Sequence, residues 1–208
     1  MLCSCSNSVN SLRLSDNVTS SIAVKKIPEI NSKYLAWQIY KESSRNDWEY
    51  TIQIPKLTIE KEVAQKINSE IDKLFTNYAK RYLEEQSFGL LYTLTEYYID
   101  TNIISLKITD ILYPTYGTDG DIYTVNYSIK EDKILPFEYA LKQLNTTQKI
   151  LTASIYKEYD NGNMKSIEAN QFFINEEGKI IIVVIAVEQP PEVEAWKHIY
   201  YYDYTSKN

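Results

Sequence analysis

The spacing of apolar residues changes repeatedly along this chain, and each change predicts an element. Trp48, Tyr50, Ile52 and Ile54 alternate with polar neighbours. That alternation predicts a half-buried strand stopped by Pro55. Residues 34–40 form another strand candidate just before it, with turn-like residues at 43–47 between the two. Beyond Pro55 the period lengthens. Ile59, Val63, Ile67, Ile71, Leu74, Tyr78 and Tyr82 recur at spacings of three and four. This predicts a long amphipathic helix over 58–86, N-capped by Thr58, with Lys80 and Arg81 near its negative end and Gly89 just after it.

Three strands are expected next, at 90–99, 103–113 and 121–129. Asp100-Thr101-Asn102 makes the first turn, and the loop 114–120 makes the second. Pro136 opens a helix with Ala140, Leu141 and Leu144 as its apolar stripe, since proline is tolerated at a first turn. Asn145-Thr146-Thr147 caps a second helical piece running to Tyr159, which Asn161-Gly162-Asn163 ends. Residues 172–174 and 179–187 predict a hairpin around Glu176-Glu177-Gly178, and 196–204 an aromatic strand. Runs of strands interspersed with helices predict an α+β fold, an antiparallel sheet packed by one long helix and further shorter ones.

The first five residues alter the picture. Leu2, Ser4 and Cys5 match the end of a bacterial lipoprotein signal, in which the cysteine becomes a lipid-bearing N-terminus. A Ser/Asn-rich stretch follows, as expected of a flexible tether. Residues 1–27 therefore read as a tether with most of its signal peptide missing, because a working signal needs about 7–15 apolar residues before the cysteine. Residues 28–208 read as a single domain with two candidate subregions, 28–88 and 89–208. The expected location is the cell envelope, with a membrane attachment through lipid on Cys5. Both cysteines fall in this stretch, so no disulfide is expected to staple the fold.

Composition narrows the function. A net charge of -6 argues against nucleic acid, whose affinity rests on Lys and Arg. The longest apolar run, Ile180 to Val187, is far short of the roughly 20 residues of a spanning helix. A single histidine, His198, offers no convincing zinc set or catalytic triad. It reads as a partly buried, satisfied side chain within the last strand. Asp119-Gly120-Asp121 reads as a turn rather than a calcium loop, since the other ligands are missing. No metal and no cofactor are expected.

The block from Trp48 through Ile-Pro-Lys-Leu to Lys66-Ile67-Asn68, and then Ile104-Ser105-Leu106 to Asn126-Tyr127, resembles a known family. It is similar to the paired external domains of unknown function in lysozyme-sensing anti-sigma factors, which also precede some peptidoglycan deacetylase domains. The resemblance spans most of residues 30–190. Members often carry a Gly-Gly-Ala-His loop where this sequence has Tyr116-Gly117-Thr118-Asp119-Gly120-Asp121, so the role of that histidine does not transfer. No deacetylase domain and no sigma-binding segment is read in the 208 residues. The expectation is a non-catalytic, lipid-anchored envelope protein that binds a cell-wall glycan or a protein partner. A lysozyme-binding or lysozyme-inhibiting lipoprotein is one alternative, supported by acidic charge facing a basic enzyme. An envelope enzyme of unknown reaction is another. Candidate binding residues are Tyr113, Tyr116, Asp119 and Asp121 at the loop, with Trp196, Tyr200 and Tyr202 as a rival aromatic patch.

Overall fold

The computed structural model describes residues 33–44, 48–84, 90–113, 121–160, 162–189 and 195–205, with backbone alone for 39–44, 48–53, 78–84, 90–92 and 110–113. Strands β1 (Leu35–Ser44) and β2 (Trp48–Leu57) form an antiparallel hairpin, followed by helix α1 (Glu62–Glu84). Strands β3 (Leu90–Ile99), β4 (Ile103–Tyr113), β5 (Ile122–Ser128) and the short β6 (Lys133–Ile134) continue the same sheet in sequence order. Helices α2 (Phe137–Gln143) and α3 (Gln148–Tyr159) precede a second, three-stranded sheet of β7 (Met164–Ile174), β8 (Ile180–Glu188) and β9 (Trp196–Tyr202).

The fold is α+β, with two sheets in place of one. The larger sheet is also not wholly antiparallel, because β2 and β3 run parallel over Glu49–Thr51 and Leu90–Tyr92. The crossover through α1 reverses the chain between these strands, and a parallel pair requires such a connection. Pro55 does not end β2. It pairs with Trp37 inside the β1–β2 register, and the contact with β3 has already stopped at Thr51. Proline's missing N–H is tolerated where a strand has a neighbour on one side only.

The long helix starts at Glu62, so Thr58 is not its cap. Thr58 still belongs to the hairpin, donating from its N–H to Tyr34 O at 3.0 Å and from Oγ1 to Lys33 O at 2.6 Å. The predicted stripe is buried at Ile67 and Ile71 and half-buried at Val63 and Leu74, while Ile59 precedes the helix; Ala64 and Phe75, outside that stripe, complete the buried face. Asn68 fastens the helix to β2. Its Oδ1 accepts from Leu57 N at 2.7 Å and its Nδ2 donates to Leu57 O at 2.8 Å, satisfying both main-chain groups of the last strand residue.

Strands β4 and β5 are buried on both faces. Ile104, Leu106, Ile108, Val125 and Tyr127 share one face through the register that pairs Ile104 with Tyr127. Tyr123 lies on that face, beside Leu74 and Phe75 of α1. The opposite face meets β7 through a buried polar bridge. Ser105 Oγ donates to Asn126 Oδ1 at 2.7 Å and accepts from Ile174 N at 2.7 Å, while Asn126 Nδ2 donates to Phe172 O at 2.8 Å. Each of these groups has a partner, as burial away from water requires. Lys107 is buried beside this bridge. Its ammonium lies 4.7 Å from the Phe173 ring centre, 4.2 Å from that of Tyr201, and 2.5 Å from Glu96 Oε1.

The far face of the second sheet carries α2 and α3, with Leu151 and Ile155 packed among Phe172, Ile182 and Val184. The shorter helices thus cover the second sheet rather than the first. Thr147 caps α3 as predicted, its side chain accepting from Ile150 N, and Pro136 occupies the N-cap position of α2. The β7–β8 turn needs Gly178, whose φ of +78° is unfavourable for any other residue. Among the described residues no helix is long and apolar enough to cross a membrane.

Candidate functional site

Strand β6 covers only one end of β5, pairing with Tyr127 and Ser128. Leu135 N then donates to Asn126 O at 2.7 Å, so the main chain of Asn126 faces away from β4. Main-chain direction alternates along a strand. The N–H and C=O of Thr124 and Ile122 therefore also face outward, past the point where Pro136 turns the chain into α2. Among the described residues no strand pairs with this stretch. It is an open stretch of strand edge beside the point where β6 ends.

Two hollows lie along that edge and share Ile122, Tyr123 and Gln171. One, of about 300 Å³, is lined further by Thr124, Asn126, Ile134, Leu135, Phe137, Asn170 and Phe172. The other, of about 250 Å³, is bounded by Leu74 and Phe75 of α1 on one side and Ile185 and Lys197 of the second sheet on the other, with Asp121. The edge is thus recessed between two walls. Gln171 reaches the groove because the β7–β8 register shifts between Glu168 and Gln171, and such a bulge re-aims side chains. Its Oε1 lies 3.4 Å from the Thr124 hydroxyl. Burial, and secondarily the Glu70 carboxylate, push the Tyr123 phenol above its ordinary range, which keeps it a neutral hydrogen-bonding group. The larger hollow is lined by amides, a hydroxyl, aromatic rings and aliphatic groups. Such a lining offers both hydrogen-bonding and apolar contacts to a ligand.

The sequence-predicted residues divide. Asp121 sits at one end of the groove, paired with Lys197 Nζ at 2.6 Å. Tyr113 ends β4, and its side chain, like the whole of Tyr116, Asp119 and Cys5, lies outside the described residues. Trp196, Tyr200 and Tyr202 share one face of β9, but they do not form one exposed patch. Trp196 is 50% exposed, whereas Tyr202 is 3% exposed and belongs to the core beneath α3. Tyr200 stacks on Tyr159 at 4.4 Å and on His198 at 5.9 Å. Tyr159, the last residue of α3, also meets the Tyr202 ring edge-on at 6.1 Å. His198 Nε2 stands 3.5 Å from Glu188 Oε2, too long for a strong hydrogen bond.

Tyr123, Asn170 and Gln171 were not among the candidates. The stretch 164–171 has no clean alternation, because the bulge interrupts it. Among the described residues no group of His, Cys, Asp and Glu is arranged to hold a metal ion. No protein-family model matches the chain, and no curated protein matches it.

Proposed function

We propose that this chain is a non-catalytic binding protein of the cell envelope, carried on lipid at Cys5, which takes its partner in the groove along β5. The observation that carries the reading is the recessed open edge itself. It combines main-chain donors and acceptors, the side chains of Thr124 and Gln171, and apolar surface from Ile122, Tyr123 and Phe137. The resemblance to lysozyme-sensing modules and the net charge of -6 favour a basic protein such as lysozyme over a glycan.

Two measurements test the proposal. The protein bearing its full native N-terminus should partition with membranes and incorporate labelled palmitate, and Cys5→Ala should abolish both. Acyl chains contribute about 0.8 kcal/mol per buried CH₂, so two or more chains hold firmly where one does not. Pull-downs on immobilised lysozyme and on purified peptidoglycan should retain the protein on lysozyme. Gln171→Ala and Asp121→Asn should weaken retention without lowering the melting temperature. A soluble protein with unmodified Cys5 removes the anchor. Retention unaffected by groove substitutions removes the site.

A further inference from the structure

We propose that β5 is completed from outside by an extended segment of a partner polypeptide, which pairs with the outward main-chain groups of Ile122 and Thr124. This deepens the preceding reading and rests on the β5 groove being the ligand site.

Three features select such an occupant. The first is hydrogen-bond chemistry. Ile122 and Thr124 each present an outward N–H and C=O, about 6.8 Å apart along the strand. An extended backbone repeats its own donors and acceptors at that interval, and strand addition to an exposed edge uses this match. A glycan has no such repeat of paired amide groups.

The second feature is shape. The edge lies on the floor of a groove between Leu74 and Phe75 on one wall and Gln171, Ile185 and Lys197 on the other. A single added strand would lie along the edge between these two sets of side chains. Side chains of an added strand alternate between the two faces, so one set meets Leu74 and Phe75 and the other meets Gln171 and Ile185.

The third feature is charge. Lys197 and Asp121 neutralise each other at one end, while the Glu70 carboxylate acts on the Tyr123 phenol at the wall. With a net charge of -6 on the chain, the groove favours a segment bearing Lys or Arg. Natural proteins usually blunt open edges with lysine, proline or a covering loop. Ile122–Val125 carries neither lysine nor proline.

The test uses random linear peptides displayed on phage and selected on the full chain. Enriched peptides should alternate apolar and polar residues and carry Lys or Arg. Thr124→Pro deletes an outward donor and leaves the β4 ladder intact, because Tyr123, Val125 and Tyr127 make those bonds. It should weaken a selected peptide about tenfold, the effect of losing one or two hydrogen bonds. Thr124→Ala keeps the N–H and removes only the hydroxyl, so it should weaken the same peptide less than Thr124→Pro does. Because Thr124→Pro could disturb folding, the selected peptide is also N-methylated at alternate residues. One of the two methylation registers should abolish binding to the unaltered protein.

Binding that is lost with Gln171→Ala but indifferent to Thr124→Pro and to both methylation registers overturns strand pairing and leaves the groove standing as a site. Indifference to all of these overturns both. Failure to enrich any peptide, or a concentration-dependent dimer that Thr124→Pro dissolves, also overturns the proposal, the dimer by giving the edge to a second copy.

Discussion

Asn68 shows how much one side chain can hold. It closes both main-chain groups of Leu57 at the end of β2 and so sets where the helix lies on the hairpin. Asn68→Ala should cost about 1–3 kcal/mol, the usual consequence of stranding partly buried polar groups, measured by urea unfolding. Asn68→Asp keeps the acceptor and loses the donor, so it should fall between the two. Lys107 is a different case. Its charge is buried against Phe173 and Tyr201, while its partner Glu96 is 59% exposed. Removing the charge therefore leaves Glu96 in contact with water. Lys107→Met, which fills the same space, should lie within about 1 kcal/mol of the parent, whereas Lys107→Ala should lose about 2–5 kcal/mol to the cavity. Equal losses from both would mean that the ammonium itself, rather than its stem, holds the site together. Neither residue could be assigned its role from the sequence. The groups they meet lie elsewhere along the chain, Leu57 for Asn68 and Phe173 and Tyr201 for Lys107.

At the scale of elements, α1 and β4–β5 behave differently. The helix face was legible from spacing alone: Ile67 and Ile71 are each 1% exposed, and Glu70 between them is exposed. Ile67→Ala and Ile71→Ala should each cost roughly 2–5 kcal/mol, against almost nothing for Glu70→Ala. Chemical denaturation separates these outcomes, and equal effects from all three would put the phase wrong. Strands β3 and β4 were also legible, because the turn at Asp100-Thr101-Asn102 separates two runs rich in strand-forming residues. Strand β7 was legible only at its Phe172–Ile174 end. Its first two-thirds carry bulges after Met164 and after Glu168, and a period-2 pattern does not survive an inserted residue. The candidate groove was missed for the same reason, since Gln171 and Asn170 lie in that segment.

The whole molecule has an alkaline limit written into its tyrosines. The chain carries 19 of them. The phenols of Tyr98, Tyr123, Tyr127, Tyr139 and Tyr200 are all raised above their ordinary range, in each case mainly by burial. For Tyr127 the hydrogen bond to Asp132, at 2.6 Å, adds to the shift. An acid whose folded pKa is raised keeps its full contribution below the unfolded value and loses it as pH rises through the folded one. Stability should therefore be unaffected by these groups below about pH 10, the unfolded tyrosine range, and fall steadily above it. Tyrosinate absorbance followed from neutral to strongly alkaline pH should show a late phase that coincides with loss of the folded circular dichroism signal. Tyr127→Phe should make that phase shallower. A single early titration of all phenols, with the fold intact, would contradict the assignment.

Local pattern was enough for what depends on neighbours in sequence. The α+β class, the buried face of α1, the two turns at 100–102 and 176–178, and the Thr147 cap each follow from residues within a few positions of one another. Their physics is helical and strand periodicity, turn chemistry and capping, all of short range. The lipid reading of Cys5 belongs to the sequence too, as an expectation about residues outside the described structure. Tertiary structure alone decided the rest. It splits the strands into two sheets, joins β2 to β3 in parallel, buries Tyr202 while leaving Trp196 exposed, and bridges Ser105 and Asn126 to β7 across 46 to 69 residues. It also leaves β5 with an open edge, because β6 is two residues long and Pro136 turns the chain aside. Each of these outcomes depends on which surface comes to rest against which. Periodicity tells a residue which way to face, but not what will be there to meet it.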